Sequence, residues 1–217
     1  MKKMNARILM TIMGVLLGGI CVAMMRMAEF GIDPYQVLMS GIEKVTKMDF
    51  GLLNVLVNGL TLILVFFLAK RYIGVTTFIN MFLLGFVIDG AHGILLNLFP
   101  EVTFVGRILF FLIGIFILCF ASSFYYTANL GVSTYDAVAL MWGDQGKLHF
   151  KYCRIITDLC CVTIGFALIA TATGGTDLMA EVQKFIGLGT ILTAFCMGPL
   201  IDYFRRKVSD PILAKCK

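Results

Sequence analysis

Leu52 to Ala69 is a run of eighteen residues without a charge, and it stops at Lys70-Arg71. Five further predominantly apolar runs follow the same plan: roughly Ile8 to Met27, Gly74 to Leu96, Gly106 to Thr127, Tyr152 to Ala170 and Phe185 to Phe204. A helix needs ~20 such residues to cross a bilayer core. Inside that core every backbone polar group must be paired, so spanning segments are helices or closed barrels. Barrel strands alternate apolar and polar positions, whereas these runs are continuous. The expected fold is therefore all-α and integral to the membrane, with six transmembrane helices in a single membrane domain over residues 1–217. Composition agrees, with 59% of residues hydrophobic, 14% charged and a mean hydropathy of +0.93, against about 25% charged in a soluble domain.

The sequence also repeats itself. Ile73 to Asp89 and Ile186 to Asp202 share seven of seventeen aligned positions: Ile73/Ile186, Gly74/Gly187, Thr77/Thr190, Phe82/Phe195, Gly85/Gly198, Ile88/Ile201 and Asp89/Asp202. A shared apolar bias explains chance matches at Ile and Phe but not two glycines and an aspartate in register. Upstream, at an offset of one hundred, Gly114 answers Gly14, Gly131 answers Gly31 and Tyr135 answers Tyr35. Repeat one is placed at about residues 8–98 and repeat two at about 106–204, with 205–217 a basic cytoplasmic tail. Three spans per repeat is an odd number, so the second copy enters the membrane from the opposite side. The expected arrangement is an inverted-topology pair related by a pseudo-two-fold axis in the membrane plane, a plan that puts equivalent sites near the midplane of many transporters.

Each repeat carries one short extra helix. Asp33 suits an N-cap and Pro34 the first helical position, with about thirteen residues following to roughly Lys47. Ser133 and Thr134 open the equivalent segment, which runs to about Gly143. Both are too short to span and are either re-entrant or interfacial.

The net charge of +5 does not signal nucleic acid, because the basic residues sit at predicted helix ends. With the N-terminus inside and six crossings, twelve of the eighteen Lys and Arg face the cytoplasm and four face outward. Arg26 and Arg154 fall near or inside helices, and Arg26 and Glu29 are expected to snorkel. That bias puts both termini of a multi-pass protein in the cytoplasm. Seven cysteines without a Cys-x-x-Cys are read as small apolar packing residues.

Arg154 and Asp158 share one helical face, and Asp158 is expected close to the midplane. Asn54 and Asn58 hold the equivalent places in repeat one. A lone charge at that depth costs at least ~2.5 kcal/mol, so these four residues form either a solute, ion or proton path or a structural lock holding the repeats together. Asp89 and Asp202 close the repeated stretches as gate candidates or as ordinary end-of-helix residues. Tyr35, Gln36, Tyr135 and Asp136, on the short helices, are expected to face the centre. As re-entrant helices their N-termini would favour a central anion, which the negative charge of Asp33 opposes.

Gly31-Ile-Asp33-Pro34-Tyr35, its echo Gly131-Val-Ser-Thr-Tyr135-Asp136, Arg154-x-x-x-Asp158, and Gly187-Leu-Gly-Thr190 followed by Gly198 resemble the YczE/YitT group of bacterial membrane proteins over nearly the whole chain. That resemblance implies a bacterial plasma (inner) membrane location. It brings no substrate and no catalytic residues.

No His-Glu-x-x-His, Gly-x-Ser-x-Gly, phosphate loop or Cys/His metal cluster occurs in the sequence. No enzyme activity, cofactor or metal is expected. The expected function is a small-solute membrane transporter or channel, substrate unknown; the alternative is a non-transporting scaffold or regulatory protein of the inner membrane. The expected partners are the lipid bilayer, an unknown small solute or ion, and, through the small-residue face of Gly14 and Gly18, a homodimer.

Overall fold

The computed structural model describes residues 2–145, 150–173 and 186–215. Every regular element among them is helical: α1 (Lys2–Ala28), α2 (Pro34–Thr46), α3 (Phe50–Ala69) with a 3-10 turn at Lys70–Tyr72, α4 (Val75–Leu98), α5 (Phe104–Ala128), α6 (Thr134–Gln145), α7 (Phe150–Thr173), α8 (Leu188–Phe204), a π turn at Arg205–Ser209 and α9 (Asp210–Lys215). Segments of α1, α3, α4, α5 and α7 are long and apolar enough to cross a membrane. The sixth expected span begins at Phe185, outside the described residues. Its described part, α8, has 17 residues, a length of ~26 Å at about 1.5 Å per residue.

The outer faces are apolar and the interior is partly polar. Phe67 is 77% and Leu60 70% exposed, while Asn54, Thr76 and Thr77 are buried. In water such an apolar exterior would drive association; against lipid chains it is the expected surface.

Local chemistry sets the short helix α2. Asp33 Oδ1 accepts from the N–H of Tyr35 at 3.1 Å and of Gln36 at 3.4 Å. Pro34 occupies the first turn, and Lys47 closes the helix in the left-handed conformation with its N–H on Glu43 O. The roles of Asp33 and Pro34 are those the sequence assigns.

The centre of the bundle is the α1–α5 pair. A Cβ on Gly14 would lie 2.8 Å from Ala121 O, and one on Gly114 would lie 3.2 Å from the Met25 side chain. The small glycines of α1 thus turn into the bundle, Gly14 and Gly18 towards α5 and Gly19 onto Val87 of α4. Helix α1 also packs on α4, and α5 on α8.

The two halves interlock. Helix α2 packs on α7, with a Cβ on Gly41 falling 2.8 Å from Gly165 O, and α6 packs on α3 through Ala137, Met141 and Val65. The turn after α1 docks on the start of α8, where the Gly189 N–H donates to Phe30 O at 2.7 Å. The turn after α5 docks in the matching way on the start of α4, where the Thr76 N–H donates to Leu130 O at 3.0 Å. Thr77 Oγ1 accepts from the Gly74 N–H at 3.1 Å and donates to Val132 O at 2.6 Å. Gly31 and Gly131 take φ of +101° and +104° in these turns, a conformation that favours glycine.

The segment read from sequence as a basic tail is folded onto the bundle over residues 205–215. Ser209 Oγ pairs with Ser123 Oγ at 2.6 Å, Thr127 Oγ1 donates to Asp210 Oδ1 at 3.0 Å, and Val208 and Leu213 cover Met10, Phe124 and Ala128. The basic residues made that segment look solvated, but its apolar residues find a groove on α1 and α5.

Candidate functional site

A cavity of about 440 Å³ lies where the two halves meet. Its lining repeats the sequence pairing. Tyr35 and Tyr135, Gln36 and Asp136, and Asn58 and Asp158 all line it, each pair one hundred residues apart. Asn80 and Thr193, and Leu84 and Met197, contribute from equivalent places on α4 and α8. Gly18 and Val22 of α1 face Leu118 and Ser122 of α5.

The first turns of α2 and α6 converge here. Their tyrosine rings approach to 4.9 Å between centroids at an interplanar angle of 31°. Tyr135 Oη donates to Asp158 Oδ1. Asp136 Oδ2 accepts from Ser133 Oγ at 2.9 Å and from Tyr126 Oη at 3.3 Å. Both helix starts are already capped, α2 by Asp33 and α6 by Ser133 Oγ, which accepts from the Asp136 N–H at 3.1 Å. The cavity therefore meets a solute with carboxylates, hydroxyls and amides; the Tyr35, Gln36 and Asp136 N–H groups at the helix starts already have internal acceptors. Gln36 is only 3% exposed, yet its Oε1 has no hydrogen-bond partner among the described residues. A buried acceptor left in this state costs about 1–3 kcal/mol.

Of the residues singled out in the sequence, Tyr35, Gln36, Asn58, Tyr135, Asp136 and Asp158 come together at the cavity. Asn54 stands behind it, fully buried, with Nδ2 on Met81 O at 3.1 Å. Asn58 Nδ2 donates to Asn54 Oδ1 at 2.9 Å, and Thr134 Oγ1 donates to Asn58 Oδ1 at 2.5 Å. This chain of bonds ties α4 to α3 and α3 to α6. Asn54→Leu is expected to cost about 1–3 kcal/mol, because it removes two buried side-chain hydrogen bonds, to Met81 O and from Asn58 Nδ2, each worth about 0.5–1.5 kcal/mol. Thermal unfolding in detergent should register the loss; an unchanged midpoint would mean that the chain of bonds holds nothing together.

Asp89 and Asp202 lie away from the cavity. Asp89 Oδ2 accepts from the Gly51 N–H at 2.5 Å, at the exposed-donor end of α3. Asp202 pairs with Arg206 at 2.8 Å and Arg205 at 3.5 Å on a half-open surface. Arg154 lies on α7, one turn before Asp158, and its side chain falls outside the described residues.

Sequence reasoning passed over Asn80, Thr193, Tyr125, Tyr126 and Ser122 as cavity residues. A signal for the first two was present: Asn80 and Thr193 are aligned polar residues in the repeated apolar stretch. It also took Arg26 and Glu29 for snorkelling helix-end residues. Arg26 is instead 8% exposed, bonded to Glu43 at 3.3 Å and Ser40 at 3.4 Å, with its guanidinium 4.0 Å above the Phe50 ring. Burial pushes the Glu43 carboxyl above the usual carboxylate range, and the Arg26 charge pulls it back. Glu29 pairs with Arg107 at 2.5 Å. The partners arrive from other helices, which a helix-end argument cannot see.

Long apolar helices with lipid-suited outer faces, packed around a partly polar interior, define a multi-pass α-helical membrane protein. The chain belongs to DUF6198, a family of unknown function, which it matches over residues 5–206. It is similar to an uncharacterized protein of Haemophilus influenzae, 26% identical over 178 residues that cover 82% of this chain and 73% of that protein. No solved structure matches.

Proposed function

We propose that the protein is a small-solute transporter or channel of the bacterial plasma membrane, built as two inverted three-helix repeats, with N- and C-termini cytoplasmic. The observation that carries this reading is the cavity lined by equivalent residues of both halves. A site shared by inverted repeats is one that two states related by the pseudo-two-fold axis can expose to opposite sides. The bias of basic residues supports the orientation, and the resemblance to the YczE/YitT group supports the location.

The cavity is not symmetric in extent. It runs along α1 to Gly14 and Val15, along α5 to Tyr125 and Tyr126, and along α8 to Ile201. The equivalents of Tyr125 and Ile201 are Met25 and Ile88, and both are fully buried in the core. In the proposed orientation this is the inward-facing form. The outward-facing form would exchange these roles, opening Met25 and Ile88 and closing Tyr125 and Ile201.

A labelling series tests both points, with single cysteines at Asp158→Cys, Ile201→Cys and Ile88→Cys in a variant free of native cysteines. A small membrane-impermeant thiol reagent is added from each side in turn. Position 158 is expected to label, 201 from the cytoplasmic side, and 88 from the outside at a lower rate. Label reaching 158 from both sides at equal rates would favour a channel. No label at 158 from either side in folded protein would sink the aqueous path. It would leave the scaffold reading, which the buried Asn54–Asn58–Thr134 bonds favour.

A further inference from the structure

We propose that one end of the bundle binds an anionic phospholipid, whose headgroup phosphate is held by Arg7, Lys207 and Lys215. This inference is independent of the transporter reading and of which side of the membrane that end faces. It is the end at which α1 and α4 start and α5 and α8 finish. Thr11 Oγ1 meets Thr76 Oγ1 there at 3.4 Å, and Val208 and Leu213, after α8, cover Met10 of α1 and Phe124 of α5. Arg205 and Arg206 pair with Asp202, and Arg205 also lies 3.9 Å from Asp210. The side chains of Arg7, Lys207 and Lys215 have no hydrogen-bond or ion-pair partner among the described residues.

Water serves the two exposed lysines. It does not serve Arg7 Nε, which is buried in a half-buried residue one turn before Met10 and Thr11. A buried donor left without an acceptor is destabilising. A guanidinium takes phosphate oxygens through a planar fork of N–H groups, so a phosphate seated on Arg7 supplies the missing acceptor. The apolar surroundings identify that phosphate as a lipid's. Met4 and Leu9, on either side of Arg7 in the sequence of α1, are exposed, and so is Ile212 between Lys207 and Lys215. Residues 205–215 thus turn Val208 and Leu213 onto the bundle and leave cations beside an exposed apolar side chain. That is the pattern of an element lying in the membrane interface. A free phosphate or an acidic soluble partner gains nothing from exposed apolar side chains, whereas acyl chains cover them. Each cation near an anionic headgroup layer is worth about fivefold in affinity.

The test uses the full chain in a neutral detergent and three probes: dioleoyl phosphatidylglycerol, dioleoyl phosphatidylcholine and glycerol phosphate. Binding is read from adducts in native mass spectrometry. Phosphatidylglycerol is expected to bind at least tenfold tighter than phosphatidylcholine, with the gap narrowing at high salt. Arg7→Gln, Lys207→Gln and Lys215→Gln are each expected to weaken phosphatidylglycerol about fivefold and to leave phosphatidylcholine unchanged. Lys47→Gln, at the exposed finish of α2 near the opposite end, is expected to change neither. Equal affinity for the two lipids would overturn the proposal with no variant needed. So would a preference that survives Lys207→Gln with Lys215→Gln, two exposed positions where folding is not at stake, or one that falls as much in Lys47→Gln. Glycerol phosphate bound as tightly as phosphatidylglycerol would also overturn it, by making this a site for a soluble anion.

Discussion

Gly131→Val is expected to leave little folded protein. At φ +104° the residue sits where side chains are strained, which costs about 1–3 kcal/mol. A Cβ there would also fall 2.6 Å from Gly74 N and 2.7 Å from Gly74 Cα. Those are backbone atoms, so no rotamer change relieves the clash. Forcing them apart costs about another 1–3 kcal/mol. It would also stretch the Thr76–Leu130 and Thr77–Val132 hydrogen bonds that hold the turn to α4. Against a stability of about 5–15 kcal/mol, the total is large. Monodisperse yield and the thermal midpoint in detergent are the measurements. A midpoint within a few degrees of wild type would show that this turn is not a junction of the fold. Gly31→Val should behave alike, since its Cβ would meet Gly187 N at 2.7 Å and Thr190 Oγ1 at 2.6 Å.

Arg26→Met is expected to destabilise the protein by about 3 kcal/mol, the lower end of the cost of removing one partner from a buried ion pair. Arg26 bridges α1 to the α2 residues Ser40 and Glu43 and stacks on Phe50. Without it, Glu43 keeps only its own partial exposure, about a third of its side chain, as a source of solvation. Removing both charges, as Arg26→Met with Glu43→Leu, should restore much of the loss, because no uncompensated charge remains. A double-mutant cycle on the thermal or denaturant stability measures this, with a coupling of about 2 kcal/mol expected. Strict additivity would mean that the pair is not a structural contact in the folded protein.

The positions of the polar residues were only half legible. Asn54 and Asn58 lie four residues apart and look equivalent on a helical face, yet Asn58 reaches the cavity while Asn54 is buried behind it, bonded to Met81 O and to Asn58 itself. The repeated Asp89 and Asp202 suggested a matched pair with one role. One caps the start of α3 and the other pairs with the arginines after α8. Nothing in a repeat reveals which neighbour each copy meets, because the neighbours are themselves not repeated there.

The sequence by itself determined the helical membrane class, through apolar runs long enough to span and a backbone that must pair within them. It also determined the starts of the short helices, through Asp33, Pro34 and Ser133. The match between Ile73 to Asp89 and Ile186 to Asp202 was legible there too. Only the tertiary structure decided that α2 lies against α7 and α6 against α3, that Gly14 of α1 packs on α5 and Gly19 on α4, and that residues 205–215 fold back. The physical reason is that apolar helices satisfy their own backbones and are nearly interchangeable in composition. Which helix meets which is set by shape at close contacts such as Gly41–Gly165 and Gly14–Ala121, and shape exists only once both helices are in place.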